Sequence, residues 1–374
     1  MSEFFSKIHK IHYERKPAGL LLLPLWVASL FYGAMIRLKN FLYERRVLKS
    51  TRVNAGVICV GNLTTGGVGK TPVVCELANH LIVRGKRVAI LSRGYGGKLS
   101  SGKVVVVKNM KGEILVDNPS LCGDEPYLIL QNTVGAAVLI CKNRVKAAKY
   151  AADELGAEIL IMDDGFSNRT IHKDLNVLLI DSQKIFGNEK LLPLGPLREP
   201  VCEVKRADRV VLVNKGMENF GEVKEIVRHR FGVRPITCDM KIDKIYNPKT
   251  GVAIEFEEDA SLRPVAFAFS AIGQPEQFYA YLKESFNLVD TKTFKDHHAY
   301  TRADIEKIIE TAAQTGAKYI ITTQKDYVKV CASPQDGGGG GQPSTTSTTK
   351  ATCDADIFVL KLKQHLNIEE ILSA

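Results

Sequence analysis

The sequence "TTGGVGKTP" at residues 64–72 follows the apolar run "AGVICV" at residues 55–60 after three intervening residues. A strand, a glycine-rich turn and a helix in this order let backbone N–H groups converge on a phosphate at the helix N-terminus. Lys70 adds an ammonium for the β- and γ-phosphates, and Thr71 adds a hydroxyl for Mg²⁺. The stretch therefore predicts a nucleotide-phosphate loop.

This predicted loop departs from the common pattern at its first position, where Thr64 replaces a glycine. The later glycines still allow the tight turn, so the threonine does not exclude phosphate binding by this loop. Thr65 stands where the mitotic-type ATPases carry a second lysine, which disfavours that subfamily. A glycine-rich turn that binds nothing is the alternative. The predicted phosphate-binding residues are Thr64, Thr65, Gly66, Gly67, Val68, Gly69, Lys70 and Thr71.

Apolar runs and helical patterns alternate along the rest of the chain. The predicted strands lie at 87–91, 157–162, 176–181 and 209–213, with further strands at 318–323 and 356–362. Alternation of this kind favours a parallel sheet covered on both faces. We therefore expect an α/β fold: a doubly wound, mostly parallel sheet with a phosphate loop, a second, smaller α/β domain and an N-terminal membrane-associated helix.

Composition shifts predict the domain boundaries. We expect an N-terminal segment at 1–48, a nucleotide-binding domain at 49–235, a two-stranded linker at 236–262 and a smaller C-terminal domain at 263–374. A Gly/Ser/Thr-rich surface loop at 333–352 interrupts the last domain.

The overall charge narrows the possible partners. The formal net charge is +10, which suits nucleic acid, an anionic membrane surface or a phosphorylated substrate. No interleaving of aromatic and basic residues supports nucleic acid, so we expect none as a partner. The eight cysteines are scattered without a CxxC pair, which is typical of reduced cytoplasmic thiols.

The N-terminal segment carries an uncharged run of 19 residues at 18–36. About 17–20 apolar residues are the minimum for a membrane-spanning helix. Three interpretations stay open: a helix lying in the cytoplasmic leaflet, which we favour, a single span, and a buried core helix. Basic residues flank the run on both sides and favour contact with anionic lipid: Arg15, Lys16, Arg37, Lys39, Arg45 and Arg46.

Acidic residues end the predicted strand in "LIMDDGFSN" at 160–168. Asp163 and Asp164 at this position would hold Mg²⁺ or its waters opposite Thr71. The alternative is a strand-end turn stabilised by the Asp-Gly pair.

Four further segments carry candidate residues together with structural alternatives. "LSRGYGG" (91–97) brings Arg93 close to a possible anionic ligand or is only a turn. "CGDEP" (122–126) is read from its residues alone as an N-cap before a proline-started helix. "FKDHHAYT" (294–301) offers an Asp-His base candidate, and the loop at 191–200 carries Arg198 on a rigid rim.

Taken together, these segments resemble the tetraacyldisaccharide 4'-kinase (lipid A 4'-kinase) family of Gram-negative bacteria. The matching stretches occur in family order over residues 60–330: "VGNLTTGGVGKTP", "LSRGYGG", "GDEPYL", "DDGFSNRTIHKDLNVLLID", "FGNEKLLPLGPLREP", "FSAIGQPEQF", "KDHHAYTRADI" and "TTQKDYVKV".

The resemblance implies that ATP donates its γ-phosphate to the 4'-hydroxyl of a tetraacylated glucosamine disaccharide 1-phosphate, a glycolipid, with Mg²⁺ as cofactor. It implies that Asp124 and His297 form a base dyad and that Lys70 is catalytic. The implied metal ligands are Thr71, Glu125, Asp163 and Asp164. Arg93 and Arg198 are candidate substrate contacts. We expect a monomer at the cytoplasmic face of the bacterial inner membrane.

Three departures from the family pattern stand out. Ser167 and Asn168 replace the glutamine and histidine of "DDGFQH", Lys295 replaces a proline, and Gln324 replaces a glutamate. The first departure affects a segment close to the predicted metal site.

A different class of function remains as the alternative, namely a membrane-anchored P-loop NTPase switch that regulates a partner protein. "VLVNKG" (211–216) resembles the start of the guanine-reading N-K-x-D motif. Met217 stands where that motif needs aspartate, so guanine specificity is not expected.

Overall fold

The computed structural model describes residues 12–13, 23–254, 263–296, 298–331 and 356–373. His297, the Gly/Ser/Thr-rich loop at 333–352 and residues 255–262 of the expected linker lie outside these residues. The chain divides into two compact units. The first contains residues within 1–117, 121–241 and 364–374, and the second contains 118–120 and 242–363.

The first unit is built on a mostly parallel sheet. Its strand order is β8–β7–β6–β1–β5–β2–β4–β3, with β3 antiparallel to β4 and the other pairs parallel. The strands are β1 (Gly56–Gly61), β2 (Val88–Ser92), β3 (Val105–Lys108), β4 (Ala137–Ile140), β5 (Ile159–Asp163), β6 (Leu175–Asp181), β7 (Arg209–Asn214) and β8 (Ile236–Tyr246).

Helices cover this sheet on both faces. Helix α2 packs on β1, β2 and β5, whereas Ala147 and Ala151 of α5 pack with Val57 and Leu91. Successive strand residues point to opposite faces of a sheet. Val57 faces α5, and the next residue, Ile58, is also buried, so both faces of the sheet are covered. The helices are α1 (Leu23–Glu44), α2 (Lys70–Val83), α3 (Pro119–Cys122), α4 (Asp124–Asn132), α5 (Arg144–Asp153) and α6 (Phe220–Phe231), with a 3-10 helix at Val201–Arg206.

The second unit is a smaller parallel sheet with strand order β10–β9–β11–β12. Its elements are β9 (Val265–Ser270), α7 (Pro275–Lys283), β10 (Asn287–Thr293), α8 (Arg302–Gln314), β11 (Tyr319–Thr323), α9 (Gln324–Cys331) and β12 (Ile357–Leu366). Thr301 caps α8 through a capping box with Asp304, as the sequence predicted for Thr301. The expected α/β fold with a second, smaller α/β unit is confirmed.

Two local expectations are wrong. The C-terminal helix α10 (Ile368–Leu372) belongs to the first unit and contacts α2, because Ile368 and Ile371 are buried there. Helix α4 begins at Asp124, two residues before the proline, because Gly123 with φ +94° ends the preceding loop. Asp124 and Glu125 therefore lie in the first helical turn, where the helix dipole favours acidic residues.

Helix α1 packs on the first unit through a narrow strip of its surface that includes hydrogen-bonded polar side chains. Ser29 Oγ donates to the Leu191 carbonyl at 2.8 Å, and Tyr32 OH donates to the Arg198 carbonyl at 2.9 Å. Only Ser29, Gly33 and Asn40 of the helix are buried, so a buried core helix is the wrong interpretation. Among the described residues, no helix combines the length and the apolar character needed to cross a membrane.

Close backbone contact joins the loop after β2 to the turn before α4. A Cβ added to Gly97 would lie 2.5 Å from the Cys122 carbonyl carbon, and one added to Gly123 would lie 2.6 Å from the Tyr95 oxygen. Glycine is therefore required on both sides of this contact, which fixes Arg93 and Asp124 relative to each other.

We predict that Gly97→Ala destabilises the protein by about 1–3 kcal/mol, because the added methyl group pushes the two loops apart. Gly102→Ala is the matched control, since a Cβ there meets nothing within 4 Å. Its free energy of unfolding should change by less than about 0.5 kcal/mol. Urea unfolding measures both variants, and equal losses would contradict the steric account.

Candidate functional site

The phosphate loop, residues Thr64–Thr71, connects β1 to α2. Gly66 and Gly69 adopt φ of +105° and +96°, so both need glycine, and Gly69 is the N-cap of α2. Within the described part of the chain, the N–H groups of Gly66, Gly67 and Val68 donate no hydrogen bond. Consecutive unpaired amides before a helix N-terminus are the arrangement that binds an anion.

The first two loop residues are held by neighbouring segments instead. The Thr65 N–H donates to the Pro196 carbonyl at 2.8 Å, so this amide is engaged within the protein. Asn62 Nδ2 donates to the Thr64 carbonyl at 2.8 Å and to its hydroxyl at 3.2 Å. Thr64 and Thr65 thus anchor the loop, and the free amides begin at Gly66.

Lys70, the first residue of α2, is 8% exposed. Its Nζ donates to Asn62 Oδ1 at 3.2 Å and lies 3.6 Å from Asp164 Oδ1. The structure therefore brings the predicted lysine and one predicted acidic residue together. Sequence analysis missed Asn62, whose amide contacts both the start of the loop and its lysine.

The acidic turn, residues 163–166, follows β5. Strand β5 runs parallel to β1 with Val60 opposite Asp163, so the turn and the phosphate loop emerge from the same sheet edge. Asp163 is 2% exposed, and its Oδ1 is buried with no hydrogen-bond partner among the described residues. A buried carboxylate oxygen without a partner is costly and fits a site completed by a cation.

Burial, together with the charges of Glu125 and Asp164, raises the pKa of Asp163 to about 7. The charges of Lys70 and Arg144 act in the opposite direction. Glu125 is half-buried in the first turn of α4, and its charge is one cause of this raised pKa. Its role as a metal ligand stays a prediction of the family resemblance.

Asp164 behaves in the opposite way. Its burial disfavours ionisation, but the charges of Lys70 and Arg198 outweigh burial and lower its pKa. Arg198 Nη1 donates to Asp164 Oδ2 at 2.7 Å, so this candidate substrate residue is also a partner of the acidic turn. Asp164 has φ of +51°, a left-handed conformation that Asp and Asn tolerate better than most residues.

The acidic turn packs tightly on β1. A Cβ added to Gly61 would lie 2.6 Å from the Cβ of Phe166, so only glycine allows the turn to approach. Lys173 Nζ donates to the carbonyls of Gly165 and Phe166 at 2.8 and 2.9 Å. Burial lowers the pKa of Lys173. The two hydrogen bonds from Lys173 therefore hold the backbone of the acidic turn in place.

Arg144, at the start of α5, is a site residue that the sequence analysis missed. It is 2% exposed, and its Nη2 donates to the Asp163 carbonyl at 2.7 Å. Burial lowers its pKa to about 10, while Asp163 raises it. Strand β4, which the sequence analysis did not predict, ends four residues before Arg144. The apolar run that forms β4 was the available signal, because residues after parallel strands meet at the site edge of the sheet.

The remaining candidates occupy separate positions. Arg93 is exposed on the loop after β2, and Asp124 is half-buried in the first turn of α4. His297 lies outside the described residues. In the second unit, Lys325 Nζ lies 3.8 Å from Asp296 Oδ1, and His298 Nε2 lies 3.0 Å from Asp304 Oδ2.

Ser167 and Asn168, which form the first departure from the family pattern, have local roles. Asn168 Oδ1 accepts from the Thr170 N–H at 3.1 Å and closes the turn after Phe166. The Ser167 carbonyl accepts from Lys39 of α1 at 3.3 Å, while its hydroxyl is buried without a partner in the described chain.

The chemistry of the donor set fits Mg²⁺ rather than a metal held by a protein cage. No group of three or more His, Cys, Asp or Glu side chains within the described ranges is arranged as a metal cage. Mg²⁺ needs none, because it keeps several waters and takes one or two carboxylates together with substrate phosphates.

We predict opposite pH behaviour for the two aspartates in protein free of nucleotide and metal. Asp163 has a folded-state pKa raised to about 7. The folded state therefore holds its proton at pH 5, and stability is lost as the pH rises through 7. Asp163→Asn should remove this loss, so its melting temperature should fall less between pH 5 and pH 8 than that of the wild type.

Asp164→Asn is the matched control. Its lowered pKa means that its ionised form stabilises the protein throughout this pH range. The variant should melt at a lower temperature at pH 5 and at pH 8. Its pH slope should be reduced less than in Asp163→Asn, because burial still raises the pKa of Asp163. Thermal melts in a Mg²⁺-free buffer measure both, and an unchanged slope in Asp163→Asn would contradict the account.

Comparisons with known proteins identify the family of this chain. The family profile "LpxK: Tetraacyldisaccharide-1-P 4'-kinase" matches residues 21–366. A tetraacyldisaccharide 4'-kinase of Syntrophus aciditrophicus (strain SB) is 37% identical over 326 residues, covering 85% of this chain and 86% of its own length. The enzyme of the same name from Desulfotalea psychrophila is 34% identical over 343 residues, covering 90% and 95%.

A solved structure is also similar over almost the whole chain. It is a crystal structure of the "apo" form of LpxK from Aquifex aeolicus in complex with ATP. The sequences are 31% identical, the TM-score is 0.67, and the match covers 94% of this chain and 96% of that one. The family profile, the relatives and the solved structure agree, and this chain belongs to the tetraacyldisaccharide 4'-kinase (LpxK) family.

Proposed function

We propose that this protein transfers the γ-phosphate of ATP to the 4'-hydroxyl of a tetraacylated glucosamine disaccharide 1-phosphate. The product is lipid IVA, an intermediate of lipid A biosynthesis. One observation carries the proposal: in a chain of this family, the free amides of the phosphate loop and Lys70 stand beside Asp163 and Asp164.

Phosphoryl transfer depends mainly on positioning and on neutralising the charge of the phosphate oxygens. The amides of Gly66, Gly67 and Val68 bind the phosphates, and the ammonium of Lys70 stabilises the negative charge that develops on them. Mg²⁺, when bound, neutralises phosphate charge. Its protein ligands would be Thr71, Asp163, Asp164 and Glu125.

The acceptor hydroxyl is a poor nucleophile and must lose its proton as it attacks. We assign this step to Asp124 and His297, with the histidine accepting the proton and the carboxylate orienting the histidine. Their family motifs, "GDEP" and "KDHH", support this assignment. General-base catalysis of this kind contributes about 10²–10⁴-fold.

Two arginines are suited to the anionic substrate. Arg93 is exposed beside the turn that carries Asp124, where it can contact a phosphate. Arg198 is already paired with Asp164, so we assign it to the reacting phosphate rather than to the distant 1-phosphate.

Helix α1 supplies the contact with the membrane that holds the glycolipid. Its exposed side chains include Phe31 and Met35, each 70% exposed, and Leu38, 59% exposed. An apolar helix face of this kind buries itself in the headgroup boundary, and basic flanks add attraction to anionic lipid. We therefore assign the enzyme, as a monomer, to the cytoplasmic face of the inner membrane.

The alternative is a nucleotide-hydrolysing switch. Such a protein turns over ATP without an acceptor, whereas the proposed kinase requires the glycolipid. Incubation with ATP, Mg²⁺ and the disaccharide 1-phosphate lipid, followed by mass spectrometry, distinguishes them. The kinase adds one phosphate to the lipid; steady ATP hydrolysis with an unmodified lipid would contradict the proposal.

We predict that Asp124→Asn and His297→Asn each lower kcat by about 10²–10⁴-fold, because proton removal from the acceptor is lost. The affinity for ATP should remain close to that of the wild type, since neither residue belongs to the phosphate loop. Steady-state kinetics and calorimetry measure the two quantities. Turnover near the wild-type rate in either variant would remove that residue from the assignment.

We also predict that replacing Phe31, Met35 and Leu38 together by glutamine weakens sedimentation with vesicles of anionic phospholipid. The value of kcat/KM should fall for a long-chain substrate and stay constant for a short-chain, water-soluble acceptor. The helix itself should persist, because glutamine is a good helix former.

The matched control replaces three apolar residues exposed elsewhere on the first unit, Val83, Val134 and Ile226, by glutamine. This variant should bind vesicles like the wild type. Equal vesicle binding by both triple variants would contradict the role of α1.

A further inference from the structure

Lys215, the residue directly after β7, contacts a backbone carbonyl of the phosphate loop. Its Nζ donates to the Gly67 carbonyl at 3.0 Å and to Asp181 Oδ2 at 2.7 Å. The side chains of Lys215 and Asp181 are only 8% and 4% exposed. Asp181 ends β6, and its register partner is Val213 of β7, so neighbouring parallel strands deliver the pair to the same sheet edge.

The contact with Gly67 controls the direction of one amide of the loop. A trans peptide is planar, so its carbonyl and its N–H point in opposite directions. The carbonyl of Gly67 points to Lys215, and the N–H of Val68 in the same peptide therefore points away from it. That N–H donates no hydrogen bond within the described residues, which leaves it available for a phosphate oxygen.

Among the described residues, Lys215 is the only donor to the Gly67 carbonyl. A Cβ added to Gly67 would meet no atom within 4 Å, so packing does not restrict the residue. Glycine also populates more backbone conformations than any other residue. A hydrogen bond from a buried ammonium is therefore the interaction that selects one orientation of the Gly67–Val68 peptide.

Asp181 has the role of a counter-ion. Its second oxygen accepts from the Gln183 N–H at 3.0 Å, so both carboxylate oxygens are engaged. A buried ammonium without an opposite charge would be strongly disfavoured, and Asp181 removes that penalty.

The neighbouring Asn214 has a different task. Its Oδ1 accepts from the N–H groups of Gly216 and Met217 at 3.2 and 3.1 Å, and its Nδ2 donates to Asp239 at 2.8 Å. The amide therefore closes the loop after β7. In "VLVNKG", the asparagine shapes this loop and the lysine reaches the phosphate loop.

We propose that Lys215 is a positioning residue for the phosphates of the nucleotide. It holds the Gly67 carbonyl outward so that the Val68 amide faces the phosphate, and Asp181 neutralises it. The inference rests on the proposed function only in that the nucleotide phosphates bind at residues 64–71.

The test measures phosphate binding separately from binding of the base. We expect Lys215→Met to raise KM for ATP and the inhibition constant of tripolyphosphate by the same factor of about 10–100, at fixed free Mg²⁺. The change in kcat should be smaller. If ATP binding weakens while tripolyphosphate inhibition is unchanged, Lys215 contacts the base or ribose, and the proposal is wrong.

Two further variants separate positioning from simple charge pairing. In Lys215→Met with Asp181→Asn, neither buried charge is left unpaired, so this protein should fold even if the single variant does not. Weak tripolyphosphate inhibition should persist in it; recovery to the wild-type constant would overturn the proposal. Lys224→Met, which removes a half-buried lysine bonded to Thr237, should leave the constant unchanged.

Discussion

The contact between β1 and the acidic turn is the constraint on which the site depends. Gly61 leaves no room for a side chain against Phe166, and this close approach sets the turn beside the phosphate loop. Lys70 and Asp164 then come within 3.6 Å of each other. The parallel register of β1 and β5 supplies the direction of both segments, and the glycine supplies their separation. A larger residue at position 61 would displace the turn as a whole, because Lys173 holds two of its carbonyls.

The two aspartates of the acidic turn have pKa values shifted in opposite directions. The charges of Lys70 and Arg198 lower the pKa of Asp164, whereas burial and the neighbouring acidic charges raise the pKa of Asp163 to about 7. One oxygen of Asp163 is buried without a hydrogen-bond partner among the described residues. The ligand-free protein therefore carries an unfavourable group at the position where a cation is expected. Arg144 Nη2 donates to the Asp163 main-chain carbonyl, which brings a further positive charge to the acidic turn.

Local chemistry made the centre of this site predictable. The phosphate loop, its lysine and the strand-end aspartates follow from short patterns that have one physical purpose, and the strands around them alternate clearly with helices. The resemblance to a family added Glu125, which the residues alone did not indicate. The sequence did not reveal four contacts that no motif describes: Asn62 with Lys70, Arg144 with Asp163, Lys215 with Gly67, and α10 with the first unit. The first is local but belongs to no known pattern. The other three join segments that are distant in sequence, so they follow only from the assembled fold.

The central claim is that the backbone amides of Gly66, Gly67 and Val68, together with Lys70, bind the phosphates of ATP opposite Asp163. A crystal structure of this protein with Mg²⁺ and a non-hydrolysable ATP analogue tests it most directly. The account predicts phosphate oxygens within about 3 Å of these amides and of Lys70 Nζ, with the metal between a phosphate and Asp163. A nucleotide bound away from the loop, with the three amides still unengaged, would contradict it.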